Sequence, residues 1–91
     1  MRNRVDANQR EIIRAAEKMG ASVIDLSQVG GGIPDILIGY RGKNYLIEIK
    51  NPETGGCLSD KQSSFVDNFR GDVRVIYDVQ QLFFVLMGKI A

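Results

Sequence analysis

The sequence predicts an α/β domain. Three observations carry this reading. The segments 7–19 and 59–70 place apolar residues at helical spacing, while 35–40 and 45–50 are β-branched runs joined by a glycine-containing turn. A further strand-like run, 72–78, follows the second helix, and the chain closes on the apolar segment 79–91. The 91 residues, 44% of them hydrophobic, suffice for one domain, 1–91, that buries roughly 60–65% of its unfolded surface.

The elements follow in order. Residues 1–5 are a short basic start, with Arg2 and Arg4 either in a frayed terminus or in an arm that touches phosphate. Asp6 is expected to cap the first helix, and Gly20 to end it in a left-handed conformation. Ile12, Ile13, Ala15, Ala16 and Met19 define its buried side, toward which Gln9 also turns at about 100° per residue. Asp6 lies on the flank and Glu11 points to solvent. A first strand is expected over 21–28, with Val23, Ile24 and Leu26. Gly30, Gly31 and Gly32 then bend the chain, either for close approach to a phosphate or as a tight turn into Pro34. No GK[ST] follows, so this is not a P-loop.

The hairpin comes next. Asp35 opens its first strand, 41–44 forms the loop, and 45–50 the second strand. Alternation puts Leu46, Glu48 and Lys50 on one face and Tyr45, Ile47 and Ile49 on the other. A strand apolar on both faces is expected to be central. Antiparallel pairing brings Asp35 to Glu48 and Lys50. Two carboxylates there repel unless a cation lies between them, and hard divalent cations take such oxygen ligands. A lysine beside them stabilises developing negative charge. The ordinary alternative is a turn aspartate and a solvated Glu-x-Lys ion pair.

Past a loop at 51–57, Ser59 is the expected cap of the second helix. Gln62 completes an S-x-x-Q capping box, with Phe65, Val66 and Phe69 as the buried stripe on the same side as Gln62. Arg70-Gly71 ends the helix. The 72–78 strand is expected inside the sheet. The run from Leu82 to Met87 is apolar all round as a helix, with a strand as the competing local assignment. It is expected to face the sheet on one side and a second copy of the chain on the other.

At the hairpin the chain resembles a known family. Gly-Ile-Pro-Asp35 followed by Glu48-Ile49-Lys50 resembles the PD-(D/E)xK nuclease signature. The form GGGIPD…EIK…SxxQ resembles the VRR-NUC (virus-type replication-repair nuclease) group, which is similar to archaeal Holliday-junction resolvases. The match runs from about residue 3 to 77. The resemblance implies a restriction-endonuclease-like fold, a mixed central sheet flanked by helices, and metal-dependent DNA cleavage. It implies that Asp35, Glu48 and the Ile49 carbonyl hold Mg²⁺ or Mn²⁺, that Lys50 aids the nucleophile, and that Gln62 bonds water or phosphate. The relatives carry a further acidic ligand on the first helix, but alignment on Gly20 puts Gln9 there. Either Asp6 supplies the carboxylate or Gln9 supplies an amide oxygen. Gly31, Gly32, Lys61 and Arg4 are the candidate DNA contacts. The implied enzyme is a structure-selective homodimer joined through 82–87 and acting on branched DNA. The alternative is a non-catalytic DNA- or protein-binding module on the same fold.

Composition adds exclusions. Twelve basic against eleven acidic residues give +1, which is no global basic field, so DNA contacts must be local. A single Cys57 and no His argue against a disulfide framework and a zinc centre, and suit a reducing cytoplasm; the resemblance implies a bacterial or phage-infected cell. No segment is apolar for the ~18 residues of a membrane span, and the N-terminus is not a signal peptide.

Overall fold

Residues 43–49 form the strand on which the rest is stacked. Tyr45, Ile47 and Ile49 alternate onto one face and are buried, and Glu48, on the opposite face, is only 2% exposed. The computed structural model describes residues 3–51, 53 and 56–88, with 3–6 described by their backbone alone. It contains α1 (Asn3–Lys18), β1 (Ser22–Asp25), β2 (Ile36–Tyr40), β3 (Lys43–Ile49), α2 (Asp60–Asn68), β4 (Val73–Ile76) and α3 (Val79–Leu86). The sheet is four-stranded, in the order β1-β2-β3-β4. β1 and β3 run antiparallel to β2, and β4 runs parallel to β3. This is a small α/β architecture with a mixed sheet, and β3 is central as its two apolar faces require.

The hairpin is tighter than a four-residue loop. Tyr40 pairs with Lys43, leaving Arg41 and Gly42 as a two-residue turn with φ of 52° and 80°. Positive φ at both positions suits the twist of a hairpin. Gly42 accepts it freely, and Arg41 lays its guanidinium 5.2 Å from the Tyr40 ring centroid, a compensating contact.

The core lies on one side of the sheet. Ile36, Ile38, Ile47 and Ile76 meet Ile12 and Ala16 of α1 and Leu82, Val85 and Leu86 of α3. Each fully buried isoleucine contributes about 2 kcal/mol relative to exposure. On the other side Leu37, Leu46, Val73 and Val75 are half-buried, and α2 meets that face through Gln62.

Several expectations change. α1 begins at Asn3, so Asp6 lies inside the helix rather than capping it. Arg2 and the side chains of Arg4 and Asp6 lie outside the described residues. β1 stops at Asp25 instead of 28, because the Asp25 carboxylate takes the N–H and hydroxyl of Ser27 at 2.8 and 2.6 Å and turns the chain. β4 is an edge strand, paired only with β3. α2 ends at Asn68 and buries none of its residues, so Phe65, Val66 and Phe69 are not a buried stripe. Phe69 is 43% exposed. α3 ends at Leu86, where Gly88 at φ 74° provides a left-handed stop. The segment 82–87 is a helix that this chain largely buries itself, leaving Phe83 and Met87 exposed. Residues 89–91 lie outside the described residues. Among the described residues no helix is long and apolar enough to cross a membrane.

Candidate metal and phosphodiester site

The site begins where β2 fails to continue. Ile36 opposite Ile47 is the last pair of the β2–β3 ladder, and Pro34 beyond it, fully buried, has no N–H to continue the pairing. The Ile49 N–H lies past that ladder and needs a partner. Asp35 supplies one, accepting it on Oδ2 at 2.8 Å. On the other edge the Lys50 N–H donates to the Ile76 carbonyl at 2.9 Å. The end of β3 is therefore pinned on both sides, and Glu48 and Lys50 project from a rigid strand.

Their side chains form a closed network with Gln62. Lys50 Nζ lies 3.4 Å from Glu48 Oε2. It donates to Gln62 Oε1 at 2.9 Å, and Gln62 Nε2 donates to Glu48 Oε2 at 2.9 Å. The capping box is also present: Gln62 Oε1 accepts from the Ser59 N–H, and Ser59 Oγ accepts from the Gln62 N–H. The capping box thus coexists with a contact to the Glu48–Lys50 pair, because one amide oxygen serves both Ser59 and Lys50. A helix N-terminus and the carboxyl site are built from the same side chain.

The electrostatics follow from burial. The Asp35 and Glu48 carboxyls lie close enough to perturb each other's ionisation. Desolvation raises Asp35 above the usual carboxylate range, against the opposing effects of the Ile49 N–H and the Lys50 charge. Desolvation, followed by the Asp35 charge, pushes Glu48 up to about 7. Two carboxyls this close and this poorly hydrated are a strained charge arrangement, which a divalent cation would relieve.

The other candidates fall at differing distances. Gln9 is buried, 8% exposed, with its amide in reach of the Asp25 carboxylate. Glu11 is exposed. Gly30, Gly31 and Gly32 all take positive φ, and a Cβ on Gly32 would fall 2.6 Å from the Lys61 carbonyl oxygen. Gly32 therefore lies against the α2 backbone, and Gly31 and Lys61 line one cleft beside it. Asp25 was not legible as a site residue. The turn at Ser27 lowers its pKa, and its charge reaches Asp35. Its only sequence signal is the Asp-x-Ser turn.

The donor set suits a hard divalent cation through two carboxylates and neighbouring carbonyl oxygen. Asp35, Glu48 and the Ile49 carbonyl are the candidates to hold it. Among the described residues no group of three or more His, Cys, Asp or Glu side chains is gathered for a metal, so such a site would be completed by carbonyl, amide or water oxygens. No family model, curated protein or solved structure matches this chain.

Proposed function

We propose that this chain is a Mg²⁺- or Mn²⁺-dependent DNA endonuclease with a restriction-endonuclease-like PD-(D/E)xK fold. The observation that carries the reading is the half-buried Asp35, held on the Ile49 N–H, set beside the buried Glu48 and Lys50 at the open end of the β2–β3 hairpin. The order of elements supports it: a leading helix, an antiparallel meander, and a crossover through α2 to a parallel strand.

A bound divalent ion supplies Lewis-acid charge to the scissile phosphate and acidifies water. Asp35 and Glu48 hold that charge in place from a strand end fixed by two backbone hydrogen bonds. Lys50 stabilises negative charge developing on the attacked phosphate. Gln62 holds Lys50 and Glu48 in register and offers its amide to water or phosphate. Substrate choice on this reading comes from shape and backbone contacts, including Gly31, Gly32 and Lys61, since the net charge of +1 gives no global attraction. Two copies meeting over Phe83 and Met87 would present two such sites to a branched substrate.

One observation favours the second reading, a non-catalytic DNA- or protein-binding module. Gln9 stands where the resemblance expects a carboxylate, and no third acidic ligand is gathered among the described residues. Cleavage of a labelled four-way junction, a flap and a duplex with Mg²⁺, Mn²⁺ or EDTA decides between them. The nuclease cuts at least one with metal. Asp35→Asn, which keeps an acceptor for the Ile49 N–H, lowers the rate by about a thousandfold, the scale of several kcal/mol of lost charge stabilisation. No cutting by the wild type with either metal leaves the binding module.

A further inference from the structure

Phe65 of α2 and Phe69, which caps that helix, are half-buried and exposed, respectively. Phe65 and Phe69 stack with ring centroids 4.9 Å apart and planes 17° from parallel. With Gly31, Lys61, Ser64 and Asn68 they line a cleft of about 550 Å³, within the size range of small-ligand sites. The Phe69 ring is seated over the next turn. A Cβ on Gly71 would fall 2.7 Å from it, so the glycine there makes room for this ring position.

The rim of the cleft is polar. Lys61 makes no ion pair with any described residue. Asn68 spends its amide nitrogen on the Ser64 carbonyl and hydroxyl, which leaves Oδ1 as an uncommitted acceptor. A flat apolar face bordered by a cation and an amide acceptor matches a nucleotide: π-face, phosphate and exocyclic amine.

The cleft and the carboxyl site share α2. Gln62, Phe65 and Phe69 share one face of α2, at spacings of three and seven residues. Gln62 holds Glu48 and Lys50. Phe69 lies about 10 Å further along the helix axis, roughly three rises of a stacked strand. Gly32 against the Lys61 backbone keys the glycine loop to the same helix.

We propose that this cleft is a nucleobase site that takes one unpaired base of the DNA strand entering the Asp35–Glu48–Lys50 centre, stacked on the Phe65–Phe69 pair. The proposal rests on the nuclease reading and deepens it. The substrate carries a single-stranded segment within a few nucleotides of the attacked phosphate, because bases inside a duplex have no free face to offer. A flap or overhang fits this requirement, and a fully paired junction does not.

The test separates base stacking from cutting. A short oligothymidylate carrying a central 2-aminopurine, and a blunt duplex, are titrated in EDTA with wild type, Phe69→Leu and Phe69→Trp, each checked by thermal melting. Wild type and Phe69→Trp quench the 2-aminopurine. Phe69→Leu weakens single-strand binding by about tenfold or more and leaves duplex binding unchanged. Absence of quenching by wild type overturns the proposal, as does undiminished quenching by Phe69→Leu. Equal weakening on strand and duplex overturns it too, and so does conversion of a dimer to a monomer by Phe69→Leu, which would assign the pair to a second copy. Quenching by a wild type that never cuts DNA with metal keeps the base site and ends the nuclease reading. Cutting without quenching does the reverse.

Discussion

Raising the pH should weaken this domain where most proteins of its size are at their most stable. Glu48 is 2% exposed, and its carboxyl is pushed from the ordinary 4.5 up to about 7. The folded state therefore holds a proton that the unfolded chain has released between those values. A raised carboxyl stabilises the fold fully below pH 4.5, and that contribution is lost as pH rises through 7. At about 1.4 kcal/mol per pH unit, the difference amounts to about 3 kcal/mol. Asp35, also raised by burial, adds to the same slope. Asp25 is lowered, so its contribution is lost only as the pH falls through the acid range, below this window. For a domain of this length each kcal/mol moves Tm by about 4–8 °C, so the metal-free protein should melt on the order of 15 °C lower at pH 8 than at pH 5. Thermal melts in EDTA across that range measure it, alongside Glu48→Gln. The glutamine keeps the hydrogen bonds without the ionisation, so its Tm should fall less across the range, by the Asp35 contribution alone, and should exceed the wild type's at pH 8. A wild-type Tm that is level or rises from pH 5 to 8 would refute the reasoning, as would a glutamine variant with the wild-type slope.

Three other expectations can be checked with the same instruments. Mn²⁺ should raise Tm more at pH 8 than at pH 5, because it binds these carboxyls in their ionised form and burial raises the pKa of both; an equal rise at both would place the ion elsewhere. Gly32→Ala should cost about 2 kcal/mol or more in urea unfolding, since its Cβ meets the Lys61 backbone at 2.6 Å and its φ is +85°. Ser59→Ala should cost about 1 kcal/mol by removing half of the capping box while metal-dependent cutting survives. Gln62→Ala should cost a similar amount or more and also lower the cutting rate, because it frees both Glu48 and Lys50; equal rates in the two variants would reduce Gln62 to a cap.

The hairpin was legible because alternation and Gly42 fix which residues face which way. Period-2 spacing placed Glu48 and Lys50 on the face opposite Tyr45, Ile47 and Ile49, and antiparallel pairing carried Asp35 to them. The capping box at Ser59 and Gln62 was legible as local chemistry. Sequence could not separate its two roles, because only the register of β3 against α2 brings one amide oxygen to both Ser59 and Lys50. Phe65 and Phe69 misled for a simple reason: helical spacing marks a shared face but not what that face meets. β1 ran short because Asp25 bonds Ser27, a side-chain competition that apolar patterning does not register. Asp25 reaches the electrostatic range of Asp35 only through the long-range pairing of β1 with β2. The apolar stretch of 82–87 turns Leu82, Val85 and Leu86 into this chain's own core, as expected of one face, and leaves Phe83 and Met87 exposed.

The absence of buried side chains on α2 has a consequence for how the molecule comes apart. A helix normally stays docked through oil-like contacts indifferent to protonation or ions. This one is fastened by Gln62, by a glycine pressed on its backbone, and by half-covered rings. Its amides should therefore exchange with solvent through partial openings that leave the α1–sheet–α3 body intact. Each such opening would scatter Gln62 away from Glu48 and Lys50, so the dwell time of the assembled centre is set by the weakest-held helix rather than by the strongest part of the fold.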